Sequence, residues 1–281
     1  ALAEDMSAGH VKTLVIIGAN PAYATPADLA FADAMAKVEF TLHAGLYYDE
    51  TAAASQWHAP LQHDLETWSD AKALDGTAGI LQPLVQPFFG GRSTHTILAG
   101  LYDTETGAER GDARRIVQAT WRAVWGGSFA DRWKDALYKG YIAESRPAAP
   151  TPVSNRDIAL PALSETEGLS VVLRPDPTIW DGRFANNVWL QELPKPLTKV
   201  TWGNVIMISP QLAKERRLEN GDMVEVSADR RSITGPVWVM PGQEARTLTV
   251  FLGYGRREQE GPASGSGYNA YRLRGRDRLW H

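Results

Sequence analysis

A proline-rich segment divides this 281-residue chain into two parts with different hydrophobic patterns. Four prolines lie within residues 146–165, and this composition is typical of an extended, semi-rigid connector. The length of the chain favours about two domains. We therefore predict a first domain over residues 1–145, a linker over 146–165 and a second domain over 166–281.

The first part begins with alternating strand and helix signals. Val11–Ile17 is an almost continuous apolar run, as expected of a strand buried on both faces, and residues 18–21 form a turn after it. A helix is predicted over 25–37 with Thr25 as its N-cap, and residues 38–44 alternate as a second strand. Strand, helix and strand in this order indicate a Rossmann-like α/β domain.

The rest of the first part is patterned less evenly. Residues 47–91 are polar and irregular, and helical spacing returns at 112–124 and 128–139. Ser128 to Asp131 matches a capping box, and Gly140 stands where a helix C-cap belongs. We predict that these two helices complete the first domain.

The second part consists mainly of short apolar runs separated by turns, which predicts a mainly β domain, a barrel or a sandwich. The predicted strands are 169–173, 205–209, 223–227, 236–240 and 247–252. One helix is predicted over 211–218, with Ser209 as N-cap and Pro210 in its first turn. Asn220-Gly221-Asp222 is typical of a tight turn, and the glycine-rich residues 261–267 suggest a flexible loop.

Composition excludes several classes of function. The net charge of -4 offers no basic surface for nucleic acid, so no nucleic-acid partner is predicted. The chain contains no cysteine, which excludes disulfides, cysteine nucleophiles and any iron-sulfur cluster held by cysteines of this chain. The longest apolar runs are strand-sized, so no transmembrane segment is predicted. Composition leaves the compartment undetermined.

Two short segments are candidates for ligand binding, and each has an ordinary structural alternative. Gly18 to Pro21 ends a predicted parallel strand, where open α/β sheets bind ligands, but Asn20-Pro21 is also a common turn. Asp49 to Thr51 either accepts hydrogen bonds from a guanine or ribose, or caps a short helix that begins near Thr51.

No set of side chains predicts catalysis or metal binding by this chain alone. His58, His63, Asp64 and Glu66 are the densest group of potential ligands, but their spacing matches no known metal motif, and polar packing within a loop is favoured. Neither a nucleophile elbow nor a Ser/His/Asp set with indicative spacing is present. We predict no catalytic residue and no metal ligand.

Aromatic and basic residues of the second part have open interpretations. Trp180, Trp189, Trp202 and Trp238 are predicted to anchor a core or an interface. The pair Arg256-Arg257 and the arginines between Arg272 and Arg278 either bind phosphate or form a solvated, interface-facing tail.

Motifs in both parts resemble the molybdopterin oxidoreductases related to dimethyl sulfoxide reductase, over nearly the whole chain. In the first part these are the strand and Asn-Pro turn at Val15–Pro21, the Asp-Glu-Thr-Ala segment in Tyr48–Ala52, His63–Glu66, and the loop from Asp75 to Pro83. In the second part they are Trp189–Pro194, Thr201–Asn204, Ile208–Pro210, Asn220–Val226, Gly253–Gly255 and Asn269–Arg272.

The resemblance implies a double-psi β-barrel of the molybdopterin dinucleotide-binding type and a molybdopterin guanine dinucleotide as cofactor. It assigns cofactor binding to Gly18, Asn20, Pro21, Asp49, Glu50, Thr51 and Asn269. Two departures bear on this expectation. Residues 55–60 replace a family segment and lack its acid, and the family's metal-binding Ser, Cys or selenocysteine belongs to a region N-terminal to the part seen here.

The resemblance is greatest to the molybdopterin-like large subunit of alternative complex III, a quinol-oxidising membrane complex. This implies an electron-transfer subunit whose partners are an iron-sulfur domain of the same parent chain and membrane subunits, in a periplasmic or membrane-associated location. The alternative is a scaffold of such a respiratory complex that holds no cofactor in this region. A third hypothesis is a pair of soluble domains that bind a small molecule and have no redox role.

Overall fold

The computed structural model describes residues 1–102, 111–148, 168–257 and 261–280, which form two compact units. The first unit contains Ala1–His43, Tyr47–His58 and Ala162–His281, and the second contains Ala44–Leu46 and Ala59–Pro161. Both units are discontinuous in sequence, whereas the sequence analysis places a single boundary near residue 145. Most of the predicted linker over 146–165 lies outside the described residues and stays a prediction.

The N-terminal residues of the first unit form short helices around two strands. The elements are α1 (Leu2–Ser7), β1 (Thr13–Ile17), α2 (Pro21–Ala24), a 3-10 turn (Ala27–Leu29), α3 (Phe31–Met35), β2 (Phe40–Gly45) and α4 (Glu50–Ala54). Met6, Leu14, Ile16, Met35 and Val38 are buried together in a small core. The apolar alternation of β1 therefore faces α1 and α3.

The single helix predicted over 25–37 is wrong. Thr25 is the C-cap of α2, Asn20 is its N-cap and Pro21 occupies its first turn. Ala30 has the left-handed conformation with φ 42°, which interrupts the chain before α3 begins. Strand, helices and strand follow the predicted order, and β1, β2 and β3 (Trp57–Pro60) form a three-stranded sheet in that order.

Helices and a short hairpin form the second unit. Strands β4 (Ser69–Lys72) and β5 (Ala78–Leu81) pair antiparallel, and the helices are α5 (Thr94–Tyr102), α6 (Ala113–Trp125) and α7 (Phe129–Lys139). Their shared core contains Ala78, Ile80, Val117, Trp125, Trp133, Ala136 and Ile142. The prediction that residues 47–91 lack regular structure is wrong, because α4, β3 and the β4–β5 hairpin lie within them.

The two helices predicted from capping signals are present, with one correction. The Asp112 side chain caps α6 by accepting hydrogen bonds from the N–H groups of Arg114 and Arg115. Gly140 ends α7 with φ 78°, as predicted. Ser128 makes no capping bond, because its hydroxyl donates to the Trp125 carbonyl of the preceding turn instead. The capping box at Ser128 is therefore wrong.

A five-stranded sheet curls into a half-barrel and dominates the first unit. Its strands are β6 (Ser170–Arg174), β7 (Ile206–Ile208), β8 (Met223–Ala228), β9 (Arg231–Val239) and β10 (Thr247–Phe251), in the order β6-β10-β7-β9-β8. The pairs β6–β10 and β7–β9 are parallel, and β7–β10 and β8–β9 are antiparallel. One face of the sheet forms the core, with Leu173, Ile206, Ile208, Val237, Leu248 and Val250 all buried.

Local signals in this region have the predicted structure. Ser209 caps a helix, α9 (Pro210–Arg216), by accepting from the Leu212 N–H at 3.0 Å. Gly221 has φ 95°, and the Asp222 carboxylate accepts from the backbone N–H of Glu219. A second short helix, α8 (Val188–Glu192), was not predicted.

The glycine-rich residues 261–267 are mostly exposed but are anchored at Ala263 and Gly267, and the prediction of a flexible loop stays a prediction. Ala263 is only 2 % exposed and belongs to a core with Ile179 and Tyr254. A side chain on Gly267 would collide with the amide of Asn204. Glycine is therefore required at this position by a close approach.

The tryptophans of this region are mostly at the surface. Trp180, Trp189 and Trp202 are exposed, and Trp238 is half-buried. The core role predicted for the first three is therefore wrong, and an interface role stays a prediction.

Within the described ranges, no helix combines the length and the apolar character needed to span a bilayer.

Candidate cofactor-binding site

The turn after β1 is joined to the start of α4 by an amide network. The Asn20 amide nitrogen donates to the Glu50 carboxylate at 2.7 Å. Its amide oxygen accepts from the backbone N–H and the hydroxyl of Thr51, at 3.2 and 2.7 Å. The Thr51 hydroxyl in turn accepts from the Ala22 N–H at 3.0 Å. Both ends of the Asn20 amide are therefore occupied within the protein.

Asp49 acts as the N-cap of α4. Its carboxylate accepts hydrogen bonds from the N–H groups of Thr51 and Ala52, at 3.1 and 3.0 Å. This geometry is that of the capping alternative in the sequence analysis. Gly18, by contrast, stands in the left-handed region with φ 67°, and nothing lies within 4 Å of the position a Cβ would take. The backbone at Gly18 is therefore open to a ligand.

A buried ion pair connects α4 with the segment after β10. The Arg256 guanidinium binds both carboxylate oxygens of Glu50, with its Nε and Nη2 each at 2.7 Å from one of them. Its Nη1 donates to the carbonyl of Gly182, and the guanidinium lies 4.4 Å from the ring centre of Tyr23. The side chains of Arg256 and Glu50 are only 4 % and 13 % exposed. Arg256 thus has its donors used by protein groups.

The pKa of Glu50 reflects two opposing effects. Burial raises the pKa of this carboxyl, but the hydrogen bonds and charge of Arg256, together with the bond from Asn20, lower it more. The net pKa of Glu50 is below the ordinary value of 4.5. The pair is therefore ionised at neutral pH.

Asn269 lies in a different part of the same unit. Its side chain accepts from the Tyr271 N–H at 2.9 Å and caps the 3-10 turn Ala270–Leu273. The rings of Tyr271 and Tyr23 meet edge to face at 4.9 Å, and the Tyr23 hydroxyl donates to the carbonyl of Tyr254. Burial raises the pKa of both tyrosines, that of Tyr271 to about 12.

A cleft of about 180 Å³ lies between the residues after Asn20 and the turn at Asn269. Its lining includes Ala22, Tyr23, Asn269 and Arg272. Of the seven residues predicted to bind a cofactor, only Asn269 lines this cleft. Asn20, Glu50 and Thr51 are instead brought together in the amide network, with Asp49 capping the same helix.

Close backbone packing surrounds the ion pair. A Cβ on Gly253 would come within 3.0 Å of the backbone of Trp180 and Gly182, and one on Gly255 would collide with the backbone of Asn269. Both glycines also have positive φ. These positions explain the Gly253-Tyr-Gly255 motif by steric need.

The histidine-rich segment shows packing within loops and strands. The backbone N–H of Leu65 donates to the His63 ring, and the Glu66 carboxylate accepts from the N–H groups of His63 and Phe88. These bonds confirm polar packing at those residues. In the ranges the structure describes, no group of three or more His, Cys, Asp or Glu side chains is arranged to hold a metal.

His58 has a partner that the sequence analysis missed. Its Nδ1 lies 3.1 Å from Nδ1 of the fully buried His43, whose Nε2 donates to the Ala19 carbonyl. Since a carbonyl only accepts, Nε2 of His43 carries a proton and donates it to Ala19. Burial, followed by the neighbouring His43, lowers the pKa of His58.

The comparisons with known proteins agree with this geometry. Residues 185–278 match the family described as Molydopterin dinucleotide binding domain. The chain is 24% identical over 280 residues to the molybdopterin-binding-like subunit of menaquinone reductase from Nitratidesulfovibrio vulgaris, with 93% of this chain and 38% of the relative covered. Acetylene hydratase from Pelobacter acetylenicus has the same fold with a TM-score of 0.71 at 14% identity, over 97% of this chain and 42% of that one.

Residues 185–278 therefore match a molybdopterin dinucleotide-binding domain, and the similarities over the rest of the chain support the molybdopterin oxidoreductase family. The chain spans 38% of the length of the menaquinone reductase subunit it matches.

The seven residues predicted to bind the cofactor do not form a site that fits a guanine dinucleotide. Sites for small molecules usually have volumes of about 300–1,000 Å³, whereas the cleft beside Asn269 has about 180 Å³. The side-chain groups of Asn20, Glu50 and Thr51 that would bind such a ligand are bonded to one another and to Arg256. Of the predicted residues, Gly18 keeps an open backbone.

Sequence motifs identify most residues of this network but not its centre. Arg256 is predicted to bind phosphate or to lie in a solvated tail, whereas the structure pairs it with Glu50, 206 residues away. Tyr23, which lies beneath the guanidinium, was not considered. No local pattern reveals a pair at this separation, because each residue alone is typical of a surface.

Proposed function

We propose that this chain is a scaffold module of a molybdopterin-oxidoreductase-type electron-transfer assembly and holds no cofactor of its own. Its partners are an iron-sulfur domain and membrane subunits of a quinone-linked respiratory complex. The name of its relative, a molybdopterin-binding-like subunit of a menaquinone reductase, supports an assembly of this kind. The half-barrel is proposed to be part of a double-psi β-barrel, and the N-terminal sheet part of a Rossmann-like domain.

One observation carries the cofactor-free proposal. The Glu50–Arg256 pair, with Asn20 and Thr51, uses the side-chain donors and acceptors that a dinucleotide would need. Opening this network would leave a charge that is buried without a partner, which costs several kcal/mol. The module therefore keeps the family fold while its polar groups stabilise the protein itself.

The alternative is a dinucleotide cradle formed by Gly18, Asn20, Pro21, Asp49, Glu50, Thr51 and Asn269. The family match of residues 185–278 favours it, because that match includes Asn269 and the glycines of 253–255. This alternative requires the ion pair to open, or further protein to complete the site. In either case the cofactor would supply the electron chemistry, and this chain would only bind and orient it.

The cofactor content of the purified protein distinguishes the cofactor-free scaffold from the dinucleotide cradle. The chain is produced with and without the partner proteins proposed above, in a host that makes molybdopterin guanine dinucleotide, and is then purified, oxidised and assayed for fluorescent pterin and released GMP. We expect neither in amounts comparable to the protein. Near-equimolar pterin and GMP would overturn the cofactor-free proposal and establish the cradle.

The assembly role needs a separate measurement. The tagged chain, produced in its native host, is cross-linked and recovered from a membrane extract. We expect iron-sulfur proteins and quinone-reactive membrane proteins among the partners. Recovery of the chain with no redox protein bound would contradict the scaffold proposal.

A further inference from the structure

A cavity lies on the outer face of the half-barrel sheet, away from the network around Arg256. It has a volume of about 520 Å³, within the range of small-molecule sites. Its floor is the face opposite the core. Val172 on β6, Thr249 on β10 and Met207 on β7 project from that face, because alternate residues of a strand point to opposite sides.

The walls of the cavity are mostly apolar. Prolines at 175, 177 and 196 line it, and Leu197, 78 % exposed, lies at its rim. A water-exposed leucine beside an apolar floor leaves hydrocarbon in contact with solvent, which a ligand with an apolar body would cover.

Most of the polar side chains in the wall already have partners. The Asn204 amide donates to the carbonyls of Phe251 and Tyr268, and the Gln243 amide donates to Thr247. Lys195 is buried, with its Nζ 2.8 Å from the Tyr254 hydroxyl and 3.6 Å from the Asp176 carboxylate. These groups therefore shape the cavity without offering a strong site to an ion.

Arg174 differs from these polar wall residues because no partner within the described ranges occupies its guanidinium, which is free to bind a ligand. It lines the cavity at the C-terminal end of β6, and its side chain is exposed. No hydrogen bond or ion pair to its guanidinium exists among the residues the structure describes. It is a planar, permanently charged fork beside an apolar surface, which suits a carboxylate.

Charge is distributed unevenly along the cavity. The one acid in its lining, Glu244, accepts a hydrogen bond from the Thr247 hydroxyl, and Thr247 pairs with Ser170 at the start of β6. Arg174 lies four residues further along that strand, or about 13 Å at 3.3 Å per residue. The two exposed charges of the lining, Glu244 and Arg174, thus lie toward opposite ends of β6.

From this geometry we infer a binding site for an elongated amphipathic carboxylate. The carboxylate pairs with Arg174, and the apolar body lies along the floor between β6, β10 and β7. Glu244 at the far end disfavours a second negative charge, so a monoanion is selected. The site is independent of the function proposed above.

Decanoate is a suitable probe because its extended length is close to the separation of Ser170 and Arg174 along β6. Isothermal titration calorimetry on the 281-residue chain should show one decanoate bound per chain. Arg174→Gln should weaken binding about tenfold or more, since a hydrogen bond to a charged group contributes that much. Arg216→Gln, which removes an exposed arginine on α9 outside the cavity, should leave the affinity unchanged.

Two further measurements test the shape and sign of the site. Val172→Trp should abolish binding by filling the floor, and decyltrimethylammonium, a cation with the same chain, should bind at least tenfold more weakly than decanoate. Absence of decanoate binding, equal affinities in Arg174→Gln and Arg216→Gln, or equal binding of the cation would each overturn the inference. If Val172→Trp fails to fold, the two arginine variants decide the result.

Discussion

The half-barrel sheet and helix α5 are both rich in apolar residues, but only the sheet buries them. Ile206 and Val250 on the sheet are fully buried. No residue of α5 is buried, and Leu98 and Leu101 are 42 % and 57 % exposed. Tertiary packing supplies most helix stability in proteins, so a helix with no buried residue contributes little to the stability of the fold. Stability of the chain should therefore depend far more on the sheet and the ion pair beside it than on α5.

The largest loss is expected from the buried ion pair. Arg256→Met leaves Glu50 charged and buried without its partner, which should lower the free energy of unfolding by about 3–5 kcal/mol. The matched control is Arg183→Met. Arg183 forms the same bidentate geometry with Asp181, but Arg183 is exposed and Asp181 only half-buried, so the pair should contribute less than about 1 kcal/mol.

Urea unfolding of both variants provides the measurement. The double variant Glu50→Leu/Arg256→Met removes both charges and should recover most of the loss, since an apolar pair of similar size replaces the ions. Equal losses from Arg256→Met and Arg183→Met would show that burial does not set the strength of this pair.

The next largest effect is expected in the core of the sheet. Ile206 on β7 is fully buried between neighbouring strands. Ile206→Ala should cost about 2–5 kcal/mol, from lost transfer free energy and the cavity that remains. The measurement is again the midpoint and slope of urea unfolding, and an unchanged slope would confirm that the fold is retained. A loss below about 1 kcal/mol would contradict the assignment of this face as the core.

Ile206 and the Glu50–Arg256 pair also differ in how well the sequence predicts them. The strand that contains Ile206 was predicted to within two residues, because apolar alternation and turn residues such as Gly221 and Asp222 are local signals. The cap at Ser209 was found for the same reason. The Glu50–Arg256 pair was missed, since its two members are 206 residues apart and meet only through the fold.

Other failures have equally physical causes. The helix predicted over 25–37 is broken because Ala30 takes a left-handed conformation that no propensity indicates in alanine. The β4–β5 hairpin was missed because its strands are only four residues long and partly polar. The cavity on the sheet depends on β10 lying between β6 and β7, an order that differs from the order in the chain.

Acid should lower the free energy of unfolding of the first unit by protonating Glu50. The pKa of this carboxyl is lowered in the folded protein, so its contribution to stability is complete above about pH 4.5 and is lost as pH falls through the folded pKa. The free energy of unfolding is measured from pH 6 to pH 3. The double variant Glu50→Leu/Arg256→Met lacks the carboxyl and should lose less over this window. If both proteins lose the same amount, Glu50 does not set the acid sensitivity.

A smaller effect is expected where a cap is present in one helix and absent in the next. Asp112→Ala removes the side chain that caps α6 and should cost about 1 kcal/mol. Ser128→Ala removes no cap from α7, only the hydrogen bond to the Trp125 carbonyl, and should cost about 0.5 kcal/mol. Thermal unfolding of both variants tests the difference. A larger cost for Ser128→Ala than for Asp112→Ala would restore the capping box predicted from the sequence.

The smallest effect is expected on α5. It tests directly whether the exposed apolar residues of α5 contribute less to stability than the buried residues of the half-barrel sheet. Leu98→Gln with Leu101→Gln keeps helix propensity nearly constant while it removes exposed apolar surface. Because neither leucine is buried, the free energy of unfolding should change by no more than about 0.5 kcal/mol. The same variant should reduce self-association in sedimentation at high concentration, since exposed apolar patches favour association. A loss of 2 kcal/mol or more would mean that α5 packs into the core after all, and the contrast with the sheet would disappear.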